Sequence, residues 1–261
     1  MTLRAIQTLQ TVDLIAAEDT RHSAILCQQF QITTPLISYH QHNHQQRLPH
    51  LLAHLQSGKT LALITDAGMP GIADPGEDLV QVCLEYGIPV IPIPGVSACL
   101  TALIASGLST AQFVFEGFLP SQASARQAQI ERWRQEPRTV IFYEAPHRLL
   151  KTLPILIEIL GEARSVVVAR ELTKKYEEFW RGSLGEALAH FQTHPVRGEL
   201  TLLLAGVVPA PPDCSPEAVI AAVQALQSTG LSLSQASRDI AHRYQLPRQQ
   251  VYQWMLHPPT H

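Results

Sequence analysis

The amino-acid sequence predicts an α/β protein in which two α/β domains are followed by a small helical domain. Apolar runs of strand length alternate with helical patterns over most of the 261 residues, and this alternation is typical of βα units in mostly parallel sheets. The alternation stops after Gly206, where VVPAPPDCSP carries four prolines in ten residues. Proline fixes the backbone and lacks the N–H that a sheet interior needs, so this stretch is predicted to be a linker.

The first domain is predicted to span residues 1–109, with its boundary near Ser109. Its opening residues, MTLRAIQTLQTV, have the pattern of an amphipathic helix rather than of a basic and then apolar signal peptide. Strands are predicted at DLIAAED, PLISY, LALIT and IPVIPI, and helices at Asp78–Tyr86 and in GVSACLTALIASG.

The second domain is predicted to span residues 110–207, with strands at QFVFEGF, TVIFY, SVVVAR and ELTLLLAG. Residues 208–216 are the predicted linker and residues 217–261 the predicted helical domain. Three short helices are predicted there, in SPEAVIAAVQALQSTG, SLSQASRDIAHRYQ and LPRQQVYQWML, the last with Pro247 at the helix start.

Composition and charge argue against several classes of protein. A net charge of −3 and a charged fraction of 16% argue against non-specific binding of nucleic acid, which depends on phosphate neutralisation by Lys and Arg. No apolar run approaches the roughly 18 residues of a membrane span. The cysteines have no CxxC spacing, which favours a reducing compartment, and we expect a cytoplasmic protein. They are Cys27, Cys83, Cys99 and Cys214.

Three familiar motifs are rejected. SGKT has Ala53 where a phosphate loop needs glycine, and it precedes a strand instead of following one. HQHNHQQRLPH has four histidines but lacks the acidic partner and supporting groups of a metal-binding helix, so a polar loop that opens a helix is predicted. No GxGxxG follows a strand, which argues against a dinucleotide fold of the usual kind.

Three loops at predicted strand ends are expected to form a ligand cleft: AAEDTRHS, TDAGMPGIADPG and PIPGVSA. The carboxyl ends of parallel strands meet at one edge of a sheet, where open α/β folds bind ligands. Gly and Pro in any single loop are equally well explained by chain turning, but three such loops favour a cleft in which a ligand approaches the backbone. None of the loops carries a lysine for phosphate, so a positively charged ligand such as a sulfonium is favoured.

The second domain adds FYEAPHR, ARELTKKYEEFWRGS and RGELTLLLAG at or beside strand ends. For FYEAPHR a structural interpretation stays open, because Glu144, His147 and Arg148 are typical of an ion-paired helix start and Tyr143 of a core side chain. ARQAQIERWRQEPR holds a positive cluster that is either an RNA-binding surface or an exposed helix balanced by its own two glutamates. The cluster comprises Arg126, Arg132, Arg134 and Arg138.

Six motifs follow one another along residues 2–206: LIAAEDTR, DAGMPGIADPG, PGVSA, GFLP, FYEAPHR, and REL followed by TK. Together they resemble the ribosomal RNA small subunit methyltransferase I family. The resemblance implies the tetrapyrrole methylase fold, in which two α/β domains clamp S-adenosylmethionine in the cleft between them, and a homodimer. It also implies methylation of the 2′-hydroxyl of a cytidine in the decoding region of 16S rRNA in the small ribosomal subunit. The C-terminal helices resemble the family's helix-turn-helix-like appendage.

The resemblance also implies a set of cofactor-binding residues. The loop that opens at Asp66 and the helix start at Ser97 would cradle the cofactor, while Tyr143 and the strand at Gly198 approach it from the second domain. The implied residues are Asp66, Ala67, Gly68, Met69, Pro70, Ile72, Ala73, Asp74, Ser97, Ala98, Tyr143, Gly198, Glu199 and Leu200.

Methyl transfer to a ribose oxygen is an in-line displacement, which requires alignment and exclusion of water but no metal. A base that removes the hydroxyl proton assists the reaction, and Glu18, Asp19 and Glu144 stay open as candidates. Phosphate contacts orient RNA without specifying its sequence. The predicted RNA contacts are Arg21, Arg132, Arg134, Arg148 and Lys174.

The sequence departs from the family pattern at two places. Family members begin with a strand and a GTPIGNL-like loop ahead of the segment that starts here at Met1. Since a missing strand leaves a sheet edge unpaired, we expect upstream in-frame codons for an apolar strand and a Gly- and Pro-containing turn. His44 stands where the family has an acidic residue after its His-Asn pair, so the role of that carboxylate is open here.

Two other functions remain alternatives. A methylase acting on corrin or sirohaem precursors shares the fold, although FYEAPHR and the appended helices favour RNA. A non-catalytic RNA- or DNA-binding module would use the last two helices as its reader, with Arg238, Arg243 and Arg248 as contacts. The spacing of these arginines is more typical of a solvated helical face.

Overall fold

The computed structural model describes residues 1–207 and 214–257. The chain divides into two compact units, Met1–Val207 and Val208–His261. The first unit contains two β-sheets. The boundary predicted near residue 109 and the linker at 208–216 stay predictions, and residues 208–213 of that linker lie outside the described residues.

The first sheet consists of β1 (Leu14–Ala17), β2 (Leu36–Ser38) and β3 (Leu61–Ile64), all parallel and in the order β2-β1-β3. Three of the four residues of β1 are fully buried, whereas β2 and β3 are only half-buried. The same part of the chain forms α1 (Leu3–Thr11), α2 (Thr20–Gln29), α3 (His44–Gln56), α4 (Glu77–Glu85) and α5 (Ala98–Ser106).

One predicted strand of this region is wrong. Residues 88–93, IPVIPI, form no strand, and Val90 and Ile91 are largely exposed to solvent. The segment is apolar, but Pro89 and Pro92 have no N–H to donate to a neighbouring strand. Hydrophobicity alone therefore gave the wrong prediction here. The strands predicted at DLIAAED, PLISY and LALIT are confirmed.

The second sheet consists of β4 (Phe113–Phe118), β5 (Thr139–Glu144), β6 (Ser165–Arg170), β7 (Glu178–Ser183) and β8 (Leu200–Leu204), in the order β4-β5-β8-β6-β7. Only β4 and β5 are parallel, so the expectation of a mostly parallel sheet is wrong here. An apolar run predicts a strand but not its direction, and β8 enters antiparallel between β5 and β6. β7 was not predicted, because EFWRGS is short and half polar.

Three helices, α6 (Ala123–Arg132), α7 (Pro146–Leu160) and α8 (Leu184–Thr193), join the strands of the second sheet. The largest core of the protein lies here, where Trp133 packs against Phe142 with ring centroids 5.2 Å apart. α8 begins with a capping box, in which Ser183 and Glu186 satisfy each other's backbone N–H groups.

The second unit contains α9 (Pro216–Ser228), α10 (Leu233–Tyr244) and α11 (Arg248–Leu256), which confirms the three predicted helices. Their apolar faces enclose a small core around Val219, Val223, Ile240 and Val251. Within residues 1–207 and 214–257, no helix is long and apolar enough to cross a membrane.

Candidate functional site

A cleft of about 570 Å³ opens in the first unit between the two groups of loops that the sequence singles out. One wall is the loop after β3 together with the start of α5, and the other is the end of β5 with residues 172–174 and 198–201. All the implied cofactor-binding residues line this cleft except Pro70. Small side chains, among them Ala67, Ala73 and Ala98, leave the backbone accessible to a ligand.

The backbone of the cleft is held in uncommon conformations. Ala73 and Thr173 line the cleft with φ of +60° and +64°, and the adjoining Glu171 has φ of +50°. Non-glycine residues rarely adopt positive φ, and such strain concentrates at ligand sites. Gly68 has φ of +79° in the same loop, a conformation that glycine adopts at little cost.

One hydroxyl links two carboxylates beneath the loop after β3. Thr65 Oγ1 lies 2.6 Å from Glu18 Oε2 and 2.9 Å from Asp74 Oδ2. Because a hydroxyl donates a single hydrogen, the two carboxyl groups share one donor here. Burial raises the pKa of Asp74, and the nearby charges of Glu18 and Asp66 add to the effect. The surroundings of Asp74 therefore favour its neutral form more than free solution does.

The loop after β1 contacts the loop after β3 directly. The backbone N–H of Asp19 donates to Asp66 Oδ1 at 3.3 Å, and His22 Nδ1 lies 3.4 Å from Asp66 Oδ2. Hydrogen bonds from Arg21 hold the pKa of Asp19 below its usual range. Ligand atoms of Asp19, His22 and Asp66 lie within 4.8 Å of one another, and the expectation of a metal-independent site stays a prediction.

Glu144 lines the cleft, but its side chain is enclosed by neighbouring groups. Its carboxylate is completely buried and accepts hydrogen bonds from Thr152 Oγ1 at 2.6 Å and from the Ala145 N–H at 2.9 Å. Arg148 Nε lies 3.2 Å from the same group. The ion-paired helix start that the sequence left open is thus present. Both oxygens of Glu144 are engaged, which argues against Glu144 as the base.

Lys174 lies at the cleft between two acids. Its Nζ is 2.9 Å from Glu171 Oε1 and 2.9 Å from Glu199 Oε2, and these hydrogen bonds raise the pKa of Lys174. The lysine is charged but already neutralised locally. The cleft lining thus contains four acidic residues, Asp66, Asp74, Glu144 and Glu199, but no unpaired basic side chain among the described residues.

Residues 1–188 match the family of tetrapyrrole (corrin/porphyrin) methylases. Ribosomal RNA small subunit methyltransferase I of Synechocystis sp. is 54% identical over 98% of this chain and 92% of that protein. The Bacillus subtilis protein of the same name is 48% identical over 79% of this chain and 70% of its own length.

The chain belongs to the ribosomal RNA small subunit methyltransferase I family. Its fold is that of the tetrapyrrole methylases. A uroporphyrin-III C-methyltransferase from Thermus thermophilus, solved in complex with S-adenyl homocysteine, superposes with a TM-score of 0.54 at 18% identity, covering 78% of this chain and 90% of that one.

His44, which departs from the pattern expected for the methyltransferase I family, has a carboxylate partner of its own. Its Nδ1 hydrogen-bonds to Asp78 Oδ2, and the hydroxyl of Tyr39 donates to Asp78 Oδ1 at 2.7 Å. Asp78 is 34 residues further along the chain, at the start of α4. Burial raises the pKa of Asp78, but these hydrogen bonds outweigh it and the net pKa is lowered. A carboxylate is thus present beside residue 44, from a different element.

The predicted RNA contacts are dispersed over the surface. Arg21 is the most exposed, with 88% of its side chain accessible, although it pairs with Asp19. Arg132 lies 3.6 Å from Glu116, and Arg134 forms an ion pair with Glu131 at 2.7 Å. Arg138 likewise pairs with Glu136 at 2.7 Å, so Glu131 and Glu136 balance part of the positive cluster, as the structural alternative predicted.

The structure places two residues at or beside the cleft that the sequence analysis did not identify as site residues. Thr65, the hydroxyl between two carboxylates, directly follows β3 and was given no role of its own at the end of the predicted strand LALIT. Phe118 lines the cleft, yet GFLP was used only as a family motif. In both cases the local signal was a single residue at a strand end, which has many structural explanations.

Proposed function

We propose that this chain transfers a methyl group from S-adenosylmethionine to the 2′-hydroxyl of a cytidine in the decoding region of 16S rRNA. The observation that carries the proposal is an acidic cleft lined by small residues, in a chain 54% identical to a ribosomal RNA small subunit methyltransferase I. The substrate would be the small ribosomal subunit, which places the reaction in the cytoplasm.

The cleft fits S-adenosylmethionine by size and charge. Its volume of about 570 Å³ lies within the range of small-ligand sites, about 300–1,000 Å³. Asp66, Asp74 and Glu199 give it a negative potential. Burial raises the pKa of Asp74, and the charges of Glu18, Asp66 and Glu199 raise that pKa further. A cationic sulfonium relieves the repulsion between these charges. When bound, the cofactor supplies an electrophilic methyl group.

The residues around the cleft align the reactants and manage one proton. The backbone of residues 66–69 and 97–98 would hold the cofactor, and the walls of the cleft would limit the access of water. Among the three candidate bases, Asp19 is engaged by Arg21 and Glu144 by Arg148. Glu18 remains as the proposed base, and Thr65 connects it to the Asp74 carboxyl that faces the cleft. The ribose proton would pass to Glu18 by way of Asp74 and Thr65.

The RNA side of the proposal rests on exposed cations. Arg21, Arg132 and Arg134 keep half or more of their side chains accessible and are proposed as phosphate contacts. Arg148 donates instead to the carbonyl groups of Leu119 and Pro120, so we assign it to positioning.

A homodimer is also part of the proposal. Leu100 and Ile104, one turn apart on α5, expose 51% and 78% of their surface. Contact with a second copy would remove this apolar surface from water. Sedimentation of the purified protein tests this point.

The decisive experiment is calorimetric titration with S-adenosylmethionine. Asp66→Ala and Gly68→Val should abolish binding while leaving unfolding cooperative, because the first removes a cleft carboxylate and the second fills the loop. Unchanged affinity in both variants would contradict the cofactor site.

Two control variants distinguish a specific loss of cofactor binding from a general loss of folding. Gly71 has the same φ of +79° in the same loop but does not line the cleft, so Gly71→Val imposes equal strain without blocking the ligand. Asp13→Ala removes a carboxylate that binds Thr60 at the amino ends of β1 and β3, far from the cofactor loop along the strands. Both should bind the cofactor as the parent protein does.

The substrate is then tested by incubating the protein with labelled S-adenosylmethionine and either small ribosomal subunits or free tetrapyrroles. Label in the small subunits supports RNA methylation, and label in free tetrapyrroles instead would support the rival methylase. Label in neither pool favours the binding module.

A further inference from the structure

We propose that Phe118 is a stacking platform for the pyrimidine ring of the target nucleotide. The inference rests on the proposed function, since it names the residue that holds the base while the ribose hydroxyl reacts. Phe118 lines the cleft, and 56% of its surface is exposed. Isolated exposed aromatic residues are common, so the argument depends on how this side chain is placed.

A β-bulge directs Phe118 to the cleft. Phe115 pairs with Ile141 and Phe118 with Tyr143, so β4 advances three residues while β5 advances two. The extra residue puts Phe118 on the same sheet face as Phe115, which regular alternation would not do. Gly117 supplies the positive φ, +65°, within the bulge. Bulges beside active sites commonly serve to redirect one side chain.

A neighbouring aromatic ring holds Phe118 in place. Tyr143 lies between the two phenylalanines, with ring centroids 5.0 Å from Phe115 and 5.3 Å from Phe118, both in T-shaped geometry. Phe115 and Tyr143 are partly buried against the core, whereas 56% of the surface of Phe118 stays exposed and available to a ligand.

A buried ionic network supports the segment that follows Phe118. Arg148 Nη2 donates to the carbonyl oxygens of Leu119 at 2.9 Å and Pro120 at 3.1 Å. Glu144, fully buried, anchors the guanidinium from below. One guanidinium nitrogen thus holds two consecutive carbonyl groups while Nε pairs with Glu144, and the planar guanidinium keeps these contacts in a fixed geometry that a lysine lacks. Glu144 and Arg148 are therefore positioning residues for Phe118.

The chemistry of the substrate explains what such a ring binds. A ribose 2′-hydroxyl reaches an enclosed methyl donor only when its nucleotide leaves the stack of its neighbours, and the freed base then needs a new stacking partner. Aromatic side chains provide that partner, and loss of one costs about 1–3 kcal/mol per base. A phenyl ring has no hydrogen-bonding group, so it stabilises a base without selecting it.

The test compares Phe118→Leu and Phe118→Trp in methyl transfer to small subunits purified from cells that lack the modification. Leucine keeps apolar volume but has no π face, whereas tryptophan keeps the face. We expect Phe118→Leu to lower kcat/KM about 5- to 150-fold, chiefly through KM, and Phe118→Trp to retain activity near that of the parent protein. Affinity for S-adenosylmethionine, measured by calorimetry, should be unchanged in both.

Phe113→Leu is the matched control, because Phe113 lies on the same strand, is 39% exposed and does not line the cleft. Equal effects at positions 113 and 118, or equal activity of the Leu and Trp variants, would overturn the proposal. Loss of cofactor affinity in Phe118→Leu would also overturn it, by assigning the ring to the cofactor. Absence of transfer by the parent protein would instead reject the proposed function.

A double-mutant cycle tests the positioning role. Arg148→Lys and Phe118→Leu should each raise KM, and the double variant should lose little beyond Phe118→Leu, because both changes act through one ring. Fully additive losses would show that Arg148 does not act through Phe118.

Discussion

The two sheets of the first unit differ in burial and in what they contribute to the cleft. All five residues of β8 are buried at the centre of the five-stranded sheet, whereas every residue of β3 in the three-stranded sheet is half-exposed. The less buried sheet supplies the loop from Asp66 to Asp74, with its uncommon backbone and clustered carboxylates. The more buried sheet supplies the fixed rings and the ionic network. Both sheets therefore line the cleft, but the five-stranded sheet also contains the larger core.

The largest expected effect is the loss of stability when a mutation creates a cavity in the five-stranded sheet. Leu202→Ala in β8 should lower the free energy of unfolding by about 3–5 kcal/mol, because the site is completely enclosed. Leu63→Ala in β3 should cost less than about 2 kcal/mol, since part of that side chain is already in water. Guanidinium unfolding followed by circular dichroism measures both, and equal costs would remove the contrast between the sheets.

A smaller effect is expected where the buried network loses one donor. Thr152→Val keeps the shape of the side chain but leaves an oxygen of Glu144 without its hydrogen bond, at a cost of about 1–3 kcal/mol. Thr152→Ser retains the hydroxyl and should lie close to the parent protein in thermal unfolding. If valine and serine are equally tolerated, the network does not stabilise the second sheet.

The smallest effect on stability is expected for a substitution at Asp74 in the cofactor loop. Unlike the two preceding changes, this one should stabilise the folded protein. Burial raises the pKa of Asp74, so the folded protein binds this proton more tightly than the unfolded chain does. The contribution of Asp74 to stability is therefore fullest in acid and falls as pH rises through the folded pKa. Asp74→Asn stays neutral, so it should be more stable than the parent protein at neutral pH, by under about 1 kcal/mol.

That gain should shrink as pH falls toward 4, the ordinary range of an aspartic acid, because the parent side chain then becomes increasingly uncharged in the folded protein. Cofactor affinity should fall in the variant and lose the part of its pH dependence that comes from Asp74, since the ionised carboxylate is what attracts the sulfonium. Unfolding curves and calorimetric titrations at neutral pH and at pH 4 check both statements. A variant less stable than the parent protein at neutral pH would contradict the raised pKa of Asp74.

Residue patterns were enough to place the cleft loops and most of the strands. The strand–loop–helix order around Asp66 and Gly68 is encoded locally, whereas their role in binding the cofactor, and that of Ser97, was implied by the family resemblance. The strand at IPVIPI was wrong because its prolines remove backbone donors, a feature that counts of apolar residues ignore. The order of β8 in its sheet was not predictable, because partners that are distant in sequence compete for the same edge.

The sequence by itself determined the α/β class, the family and the loops that form the cleft, since each of these depends on periodicity or on contiguous motifs. Tertiary structure decided the roles of individual charged and aromatic groups. Glu144 became a buried anchor and Phe118 an exposed ring, although both lie at the ends of neighbouring strands. Burial and hydrogen-bond partners come from residues up to dozens of positions away, such as Arg148 for Leu119 and Glu18 for Thr65. Only the folded chain brings those partners together.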